Sequence, residues 1–399
     1  MNHPFEGKPT SVHGWSVLLA AAVLALCPMG SAKAQDRVSN PFVKQGLEKF
    51  EKSEEAEKEG GEIPAIRNMF GETIRLNGGI ALNYEYRDVQ DVGDQDNGGS
   101  SDFFIDTAEL VLGVFFNEWS KAKFKVEAVD VGRKGEKETV RLDEAFLALK
   151  SLRMPLYLVG GKTVLPFAII DNHLIEDPLT EELYEIDEWG ATLGFYPDIF
   201  GLDVSFSLYR NPRIADNLKD FKTHEFTPGR QKEDAFQSFL VNVTLEPVED
   251  TLSMSAFYDS EPGDGARNQS IGGSITLNYR KFILDAGYIT ALQREKGENG
   301  EENRESAGVV GLAFDLLDSL QLAARYEVFR DGTRGDQDEV LDYRIAAGFN
   351  YSILGLVNVS FLNDATLSFE YRYSKFEKEQ NSNAANSQNT FQFQLALGF

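Results

Sequence analysis

Three lysines stand two residues apart in "SKAKFKVEAV", at Lys121, Lys123 and Lys125, with Ala122, Phe124 and Val126 between and after them. In an extended chain, residues i, i+2 and i+4 share one face. The three ammonium groups then form a column, with Glu127 next in line. Like charges stacked this way repel unless something anionic lies opposite. Arg75, Arg325, Arg344 and Arg372 hold equivalent places in other alternating segments, and Glu327 and Glu370 each stand two residues from an arginine. Two chemistries fit these columns. One is a charged lining that sorts solutes by sign. The other is a set of ion pairs that braces a wall.

A candidate anionic counterpart occupies residues 165–188, "LPFAIIDNHLIEDPLTEELYEIDE". It carries Asp171, Glu176, Asp177, Glu181, Glu182, Glu185, Asp187 and Glu188, and neither Lys nor Arg. Ile169, Ile170, Leu174, Ile175, Leu179 and Leu183 make it apolar enough to pack inside a protein. Folded inward, it would face the basic column and set a transverse field across a constriction. Asp171, His173, Glu176, Asp177, Glu181 and Glu182 would be the groups at that constriction. A solvated acidic surface loop is the plainer alternative.

Catalytic constellations are weak. Past the first 34 residues the histidines are His173 and His224. The pair His224-Glu225 runs on into Thr227-Pro228 with no second histidine, so no zincin helix is present. Asp171 and His173 share a parity, but a triad also needs a placed nucleophile. The acidic run 88–99, with Asp88, Asp91, Asp94 and Asp96, lacks the EF-hand spacing and reads as a solvated loop. No catalytic residue, metal site or cofactor is expected, and the chain is not read as an enzyme.

The elements that must position these charges recur from residue 73 onward. In "ETIRLNGGIALNYEYR", Ile74, Leu76, Ile80, Leu82, Tyr84 and Tyr86 share one parity, and Arg75, Asn77, Asn83, Glu85 and Arg87 share the other. "LDVSFSLYR" and "ATLSFEYRYS" alternate in the same way. Sixteen such segments can be marked, from 73–87 and 103–117 to 364–377 and 389–399. The connections between them run long, short, long, short, with 88–102, 164–186, 211–234, 295–304 and 378–388 among the long ones. Repeated alternation, aromatic ends and one-sided loop lengths are the signature of a transmembrane β-barrel. The expected fold is therefore all-β: a 16-stranded antiparallel barrel over 73–399 in an outer membrane, both termini periplasmic. The final "FQFQLALGF" is its closing strand, with Phe399 at the periplasmic edge. It resembles the terminal strand that the outer-membrane assembly machinery recognises.

Residues 1–34 read as a signal peptide, with an apolar core from Trp15 to Leu26 and Ala32-Lys33-Ala34 before the cut. Cys27, the one cysteine, would leave with it. Residues 35–72 read as a periplasmic helical linker, with a short coiled coil as the alternative. A formal net charge of -25 excludes a nucleic-acid binder held by phosphate contacts.

The stretch 161–195 resembles the LbtU family of siderophore porins. The family's G-K-x-x-x-P-F strand end appears as Gly161, Lys162, Pro166 and Phe167. Its H-x-I/L-x-D-P-L-T-x-E-L stretch appears as His173, Leu174, Asp177, Pro178, Leu179, Thr180, Glu182 and Leu183. More loosely, "DFFIDTAELVLGV" and "LYLVGGKTVLPF" are similar to the phosphate-selective porins, from which the acidic third loop departs. The resemblance implies a passive porin with ferric siderophores among its solutes. A general or phosphate-type anion channel is the alternative, and an outer-membrane enzyme or adhesin a further one. The partners expected are outer-membrane lipid, the assembly machinery, a small solute or siderophore, and two further copies in a homotrimer.

Overall fold

In the computed structural model, described residues are 74–90, 98–135, 137–167, 170–197, 199–220, 236–263, 266–296, 304–330, 340–356, 359, 361–376 and 386–399. The segments read as signal peptide and linker, His224 and most of the acidic run 88–99 lie outside them.

The described residues form sixteen strands. They are β1 (Ile74–Gln90), β2 (Gly98–Asn117), β3 (Ser120–Val131), β4 (Thr139–Lys150), β5 (Leu156–Val164), β6 (Asp187–Phe195), β7 (Asp203–Arg210) and β8 (Phe236–Val248). There follow β9 (Leu252–Glu261), β10 (Asn268–Tyr279), β11 (Phe282–Gln293), β12 (Ser306–Leu317), β13 (Leu320–Arg330), β14 (Leu341–Ser352), β15 (Asp364–Phe376) and β16 (Ser387–Gly398). Each pairs antiparallel with its sequence neighbours, and β16 returns to β1, so the sheet is a closed barrel. Closure removes both edges, the state that hydrocarbon demands of a sheet, because no water is there to satisfy free N–H and C=O groups.

The alternation places apolar side chains outward. Leu82's neighbours Tyr84 and Tyr86, together with Phe124, Val126, Leu193, Phe206, Ile275, Leu312, Ile345 and Phe393, stay exposed, while Asn83, Glu85, Ser205, Ser207, Asn242, Glu327 and Glu370 are buried. Outward aromatics touch across strands. At the long-loop rim Tyr326 lies 6.2 Å from Tyr343, and Tyr343 lies 6.1 Å from Tyr373. Phe391 bridges Tyr371 at 4.9 Å and Tyr86 at 6.3 Å. At the short-turn rim Phe282 and Phe314 stack at 4.7 Å. Two aromatic girdles with an aliphatic band between them suit a lipid-facing wall. No described helix is long and apolar enough to cross a membrane.

One strand pairing and one loop length depart from the sequence reading. The hairpin expected to open at 88–102 pairs further, to Val89 with Gly98. Asp, Gly and Ser are poor strand formers, but pairing overrides that weak preference. On the short-turn rim, the connection 353–363 is longer than 262–267 on the opposite rim.

The seam between β1 and β16 is held to its last residue. Phe399 N–H donates to the Gly78 carbonyl at 2.9 Å, and Gly78 N–H donates back to Phe399 at 3.0 Å. The Phe399 ring lies against Gly78: a Cβ there would meet Phe399 Cζ at 2.5 Å and the Glu109 carbonyl oxygen at 2.8 Å. At Gly79 the nearest atom to an added Cβ is 3.5 Å away, an ordinary contact. Gly78→Ala should therefore lower the yield of heat-modifiable, folded barrel on a cold gel, and Gly79→Ala should leave it near wild type.

Candidate functional site: the inserted third loop

The connection 165–186, here L3, leaves β5 and turns into the barrel. Leu165 N–H donates to the Ile186 carbonyl at 2.9 Å and closes the neck. Beyond it Leu165, Phe167, Ile170, Leu179, Leu183, Tyr184 and Ile186 are all buried. The alternation rule gives no sign of the bed they lie on. Leu240, Phe257, Ile289, Phe329 and Leu341 point inward from β8 to β14 and join L3 in one apolar cluster. Phe167 meets Phe257 edge-on at 5.8 Å. A polar lumen was the expectation, yet this side of the barrel holds a packed apolar cluster.

Within L3 a single short helix, α1 (Leu179–Tyr184), carries the buried Leu179, Thr180, Leu183 and Tyr184. Pro178 precedes it and supplies no side-chain cap. The caps come from elsewhere. Glu327 of β13 accepts the Leu179 N–H at 2.6 Å, placing a carboxylate where the helix dipole favours one. At the other end Asn217, on α2 (Arg213–Asp220), donates to the Leu183 and Glu185 carbonyls at 3.4 and 3.0 Å.

The arginines predicted on neighbouring strands do meet L3. Arg325 donates to the Asn172 side chain at 3.0 Å and to the Glu176 and Asp177 carbonyls at 2.8 and 3.0 Å. Arg344 pairs with Glu327 at 2.5 Å and with Glu182 at 3.0 Å. Arg372 pairs with Glu176 at 3.3 Å, and Gln392 donates to the same carboxylate at 2.6 Å. Glu370 accepts the Ile175 and Glu176 N–H groups at 2.8 and 3.0 Å. Burial works against the Glu176 charge, but Arg372, Gln392 and Arg344 outweigh it and draw the group down to about 2. His173 lies between Asp285 at 3.2 Å and Gln321 at 3.2 Å, and its carbonyl accepts from Asn350 at 2.9 Å. Burial disfavours the imidazolium, yet the Asp285 hydrogen bond and charge raise His173 above its ordinary range. This contact favours the docked loop at low pH and is lost as pH rises through the raised value.

The lysine column has different partners. Lys123 pairs with Glu144 at 2.9 Å. Lys125 pairs with Glu109 and Asp143, both at 2.9 Å, and with Glu127 at 3.6 Å. These acids belong to β2, β3 and β4, so L3 is not their source. Lys121 lies in register with Phe115 and Ala148. Arg75 lies apart from the other three arginines, its guanidinium 4.9 Å above the Phe115 ring near the short-turn rim.

What remains of L3's acid set is Asp171, Asp177, Glu181 and Glu185. Asp171 and Asp177 are exposed, and Glu181 and Glu185 are half-buried. Burial, then the charges of Asp177 and Glu185, push Glu181 up to about 9. Burial, then Asp177, Asp187 and Asp143, push Glu185 up to about 7. Asp143 and Arg141, which act on Glu185, belong to the β3–β4 wall. Among the described residues no group of His, Cys, Asp and Glu is placed to hold a metal.

Sequence reading missed the uncharged and acidic partners in these contacts: Asn172, Asn217, Asp285, Gln321, Asn350 and Gln392. They are ordinary polar residues with no spacing of their own. It also missed Arg294, which is fully buried with Glu305, while Tyr184 donates to Glu305 at 3.3 Å and ties the end of α1 to that pair.

No protein-family profile and no curated protein matches the chain. Solved structures do. An anion-selective porin from Comamonas acidovorans superposes with a TM-score of 0.56 at 13% identity, over 82% of this chain and 99% of that one. The outer-membrane channel DcaP of Acinetobacter baumannii gives 0.56 at 14%, over 82% and 97%. The trimer form of OmpT, an outer-membrane protein of Vibrio cholerae, gives 0.53 at 13%, over 82% and 99%. At such identities the likeness is one of fold.

Arg344 is the most heavily used anchor. Arg344→Met would strand the Glu327 and Glu182 carboxylates, and breaking a buried pair from one side costs about 3–5 kcal/mol. Thermal unfolding in detergent should shift down clearly for this variant. It should shift less for Lys123→Met, whose single partner stands on the more open wall.

Proposed function

We propose that the chain is an outer-membrane porin, giving small solutes passive passage through the space between L3 and the β2–β4 wall. The observation that carries this is the loop itself. A closed barrel with an apolar exterior holds an inserted segment that fills one side and leaves charged groups along the other. The likeness in fold to channels named as porins supports the reading. On it, the even strand count puts both termini in the periplasm, and Phe399 in the last strand is the feature offered to the assembly machinery. A homotrimer is the assembly we favour, since one structure of like fold is described as a trimer.

The predicted charges then divide by role. Arg325, Arg344 and Arg372, with His173, Glu176 and Glu182, hold L3 in place. Lys121, Lys123 and Lys125 stand at the conduit with Arg133 and Arg141, and Arg75 lies toward its periplasmic end. Those conduit cations are met by Glu85 of β1 and by Glu109, Glu127, Asp130, Asp143 and Glu144 of the β2–β4 wall. Asp177, Glu181 and Glu185 add further acid from L3. We infer a preference for cations. The siderophore implied by the family resemblance gains no separate support. The motif's His173, Leu174, Leu179, Thr180, Glu182 and Leu183 are turned to the barrel wall.

Single-channel recording in a planar bilayer tests both parts. The protein should conduct, with reversal potentials in a KCl gradient favouring potassium. Carboxyls with raised values are neutral at low pH and ionise as pH rises. The potassium preference should therefore grow between pH 6 and pH 9.5, as Glu185 passes about 7 and Glu181 passes about 9. Glu181→Gln with Glu185→Gln should flatten that rise. Chloride preference across the range would overturn the cation reading, and closed traces under all conditions would overturn the porin.

A further inference from the structure

The motif pair Gly161-Lys162 is not used by the conduit, and its surroundings are unusual. The β4–β5 ladder stops at Ala145 with Lys162, although β4 continues to Thr139 along β3. The β5–β6 ladder does not stop there, and runs on to Val164 with Asp187. Past Lys162 the β5–β6 arm has therefore left β4, at the point where the chain enters L3. By register Lys162 shares the parity of Leu158 and Trp189, both exposed on the lipid-facing side. A lysine pointing from there into hydrocarbon would be costly.

Its side chain bends back instead and is only 17% exposed. The ammonium donates to the Leu142 and Asp143 carbonyls, both at 3.0 Å, and to Asp187 Oδ2 at 2.7 Å. Those carbonyls lie on β4 beyond its last rung to β5, Ala145 with Lys162. All three donors of the amine are used, and Asp187 balances its charge. Gly161 supplies the bend. Its φ is +135°, and a Cβ there would meet the Ala145 carbonyl oxygen at 2.2 Å and Phe146 Cα at 2.7 Å. A residue with a side chain could neither take that conformation cheaply nor approach β4 so closely.

We propose that Lys162 is the positioning residue of the constriction: it fastens the parted ends of β4 and β6 and so sets the angle at which L3 enters the lumen. It acts through L3 and touches no solute. Gly161 makes the bend, Lys162 locks it, and Asp187, the first residue after L3, ties the returning strand to the same point.

The test reads L3 docking without relying on conduction, so a failure of the porin reading and a failure of this one are separable. In a Cys27→Ser background, Thr180→Cys places a thiol on the buried face of α1, where Thr180 is 3% exposed. With Lys162 intact that thiol should resist a maleimide reagent in the folded, detergent-solubilised barrel. With Lys162→Met it should label at least tenfold faster, and single-channel conductance should rise and fluctuate. Lys162→Arg, which keeps the charge and several donors, should restore protection and the narrow conductance. An unchanged labelling rate in a Lys162→Met barrel that still shows the heat-modifiable gel shift would overturn the proposal. Should that variant not fold, Lys162→Gln decides in the same way, since its amide can still cap a carbonyl but forms no ion pair with Asp187. Faster labelling supports the proposal and an unchanged rate overturns it.

Discussion

The structure depends on one constraint: a backbone amide facing hydrocarbon must have a partner inside the protein. Sixteen strands meet it by closing on themselves, and the seam from Gly79–Gly398 to Gln90–Ser387 completes the circuit. The same requirement explains a smaller feature. Where β5 leaves β4 early, a lysine amine donates to two β4 carbonyls beyond the last rung between those strands. Whether by strand or by side chain, the wall is completed wherever the chain departs from it.

Closure fixes the outside and leaves the inside free to differ from place to place. Here it has two characters. Toward β8–β14 it is filled by a packed apolar cluster in which L3 and α2 take part. Toward β2–β4 it is lined by paired charges in more open surroundings. The arginines of β13–β15 stand at the border between the two. They hold the acidic loop by its carboxylates and its carbonyls, so much of the loop's charge is spent on docking. On the porin reading proposed above, selectivity rests with the L3 acids outside the arginine contacts, Asp177, Glu181 and Glu185.

How much of this the sequence disclosed depends on which physical rule applied. Lipid enforces parity, so Tyr84, Phe124, Phe206 and Phe393 could be placed outward from alternation alone. The acidic loop was visible as a run of carboxylates mixed with large aliphatics. Its partner was not, because composition gives charges and no distances: the lysine column was the expected counterpart, and the arginines of β13–β15 hold the loop instead. The deciding factor is the apolar bed at Leu240, Phe257, Ile289 and Phe329. Those residues break the inward polar pattern one at a time, on different strands, and only the folded sheet brings them together. The wedge at Lys162 was legible as a motif, but its task depends on where a ladder ends, which residue spacing does not encode.

The contact between Phe399 and Gly78 bears on the order of events during biogenesis. It joins the first strand to the last, the pairing with the greatest sequence separation in the sheet, and such contacts form late because the intervening chain must be arranged first. Until then the growing sheet carries two open edges, each a template for pairing with a foreign strand. An aromatic ring seated on a bare glycine gives those edges a shape-specific way to recognise each other rather than a neighbour. The ring and the glycine thus act as a clasp: they bear on whether one chain closes on itself or is drawn into an aggregate.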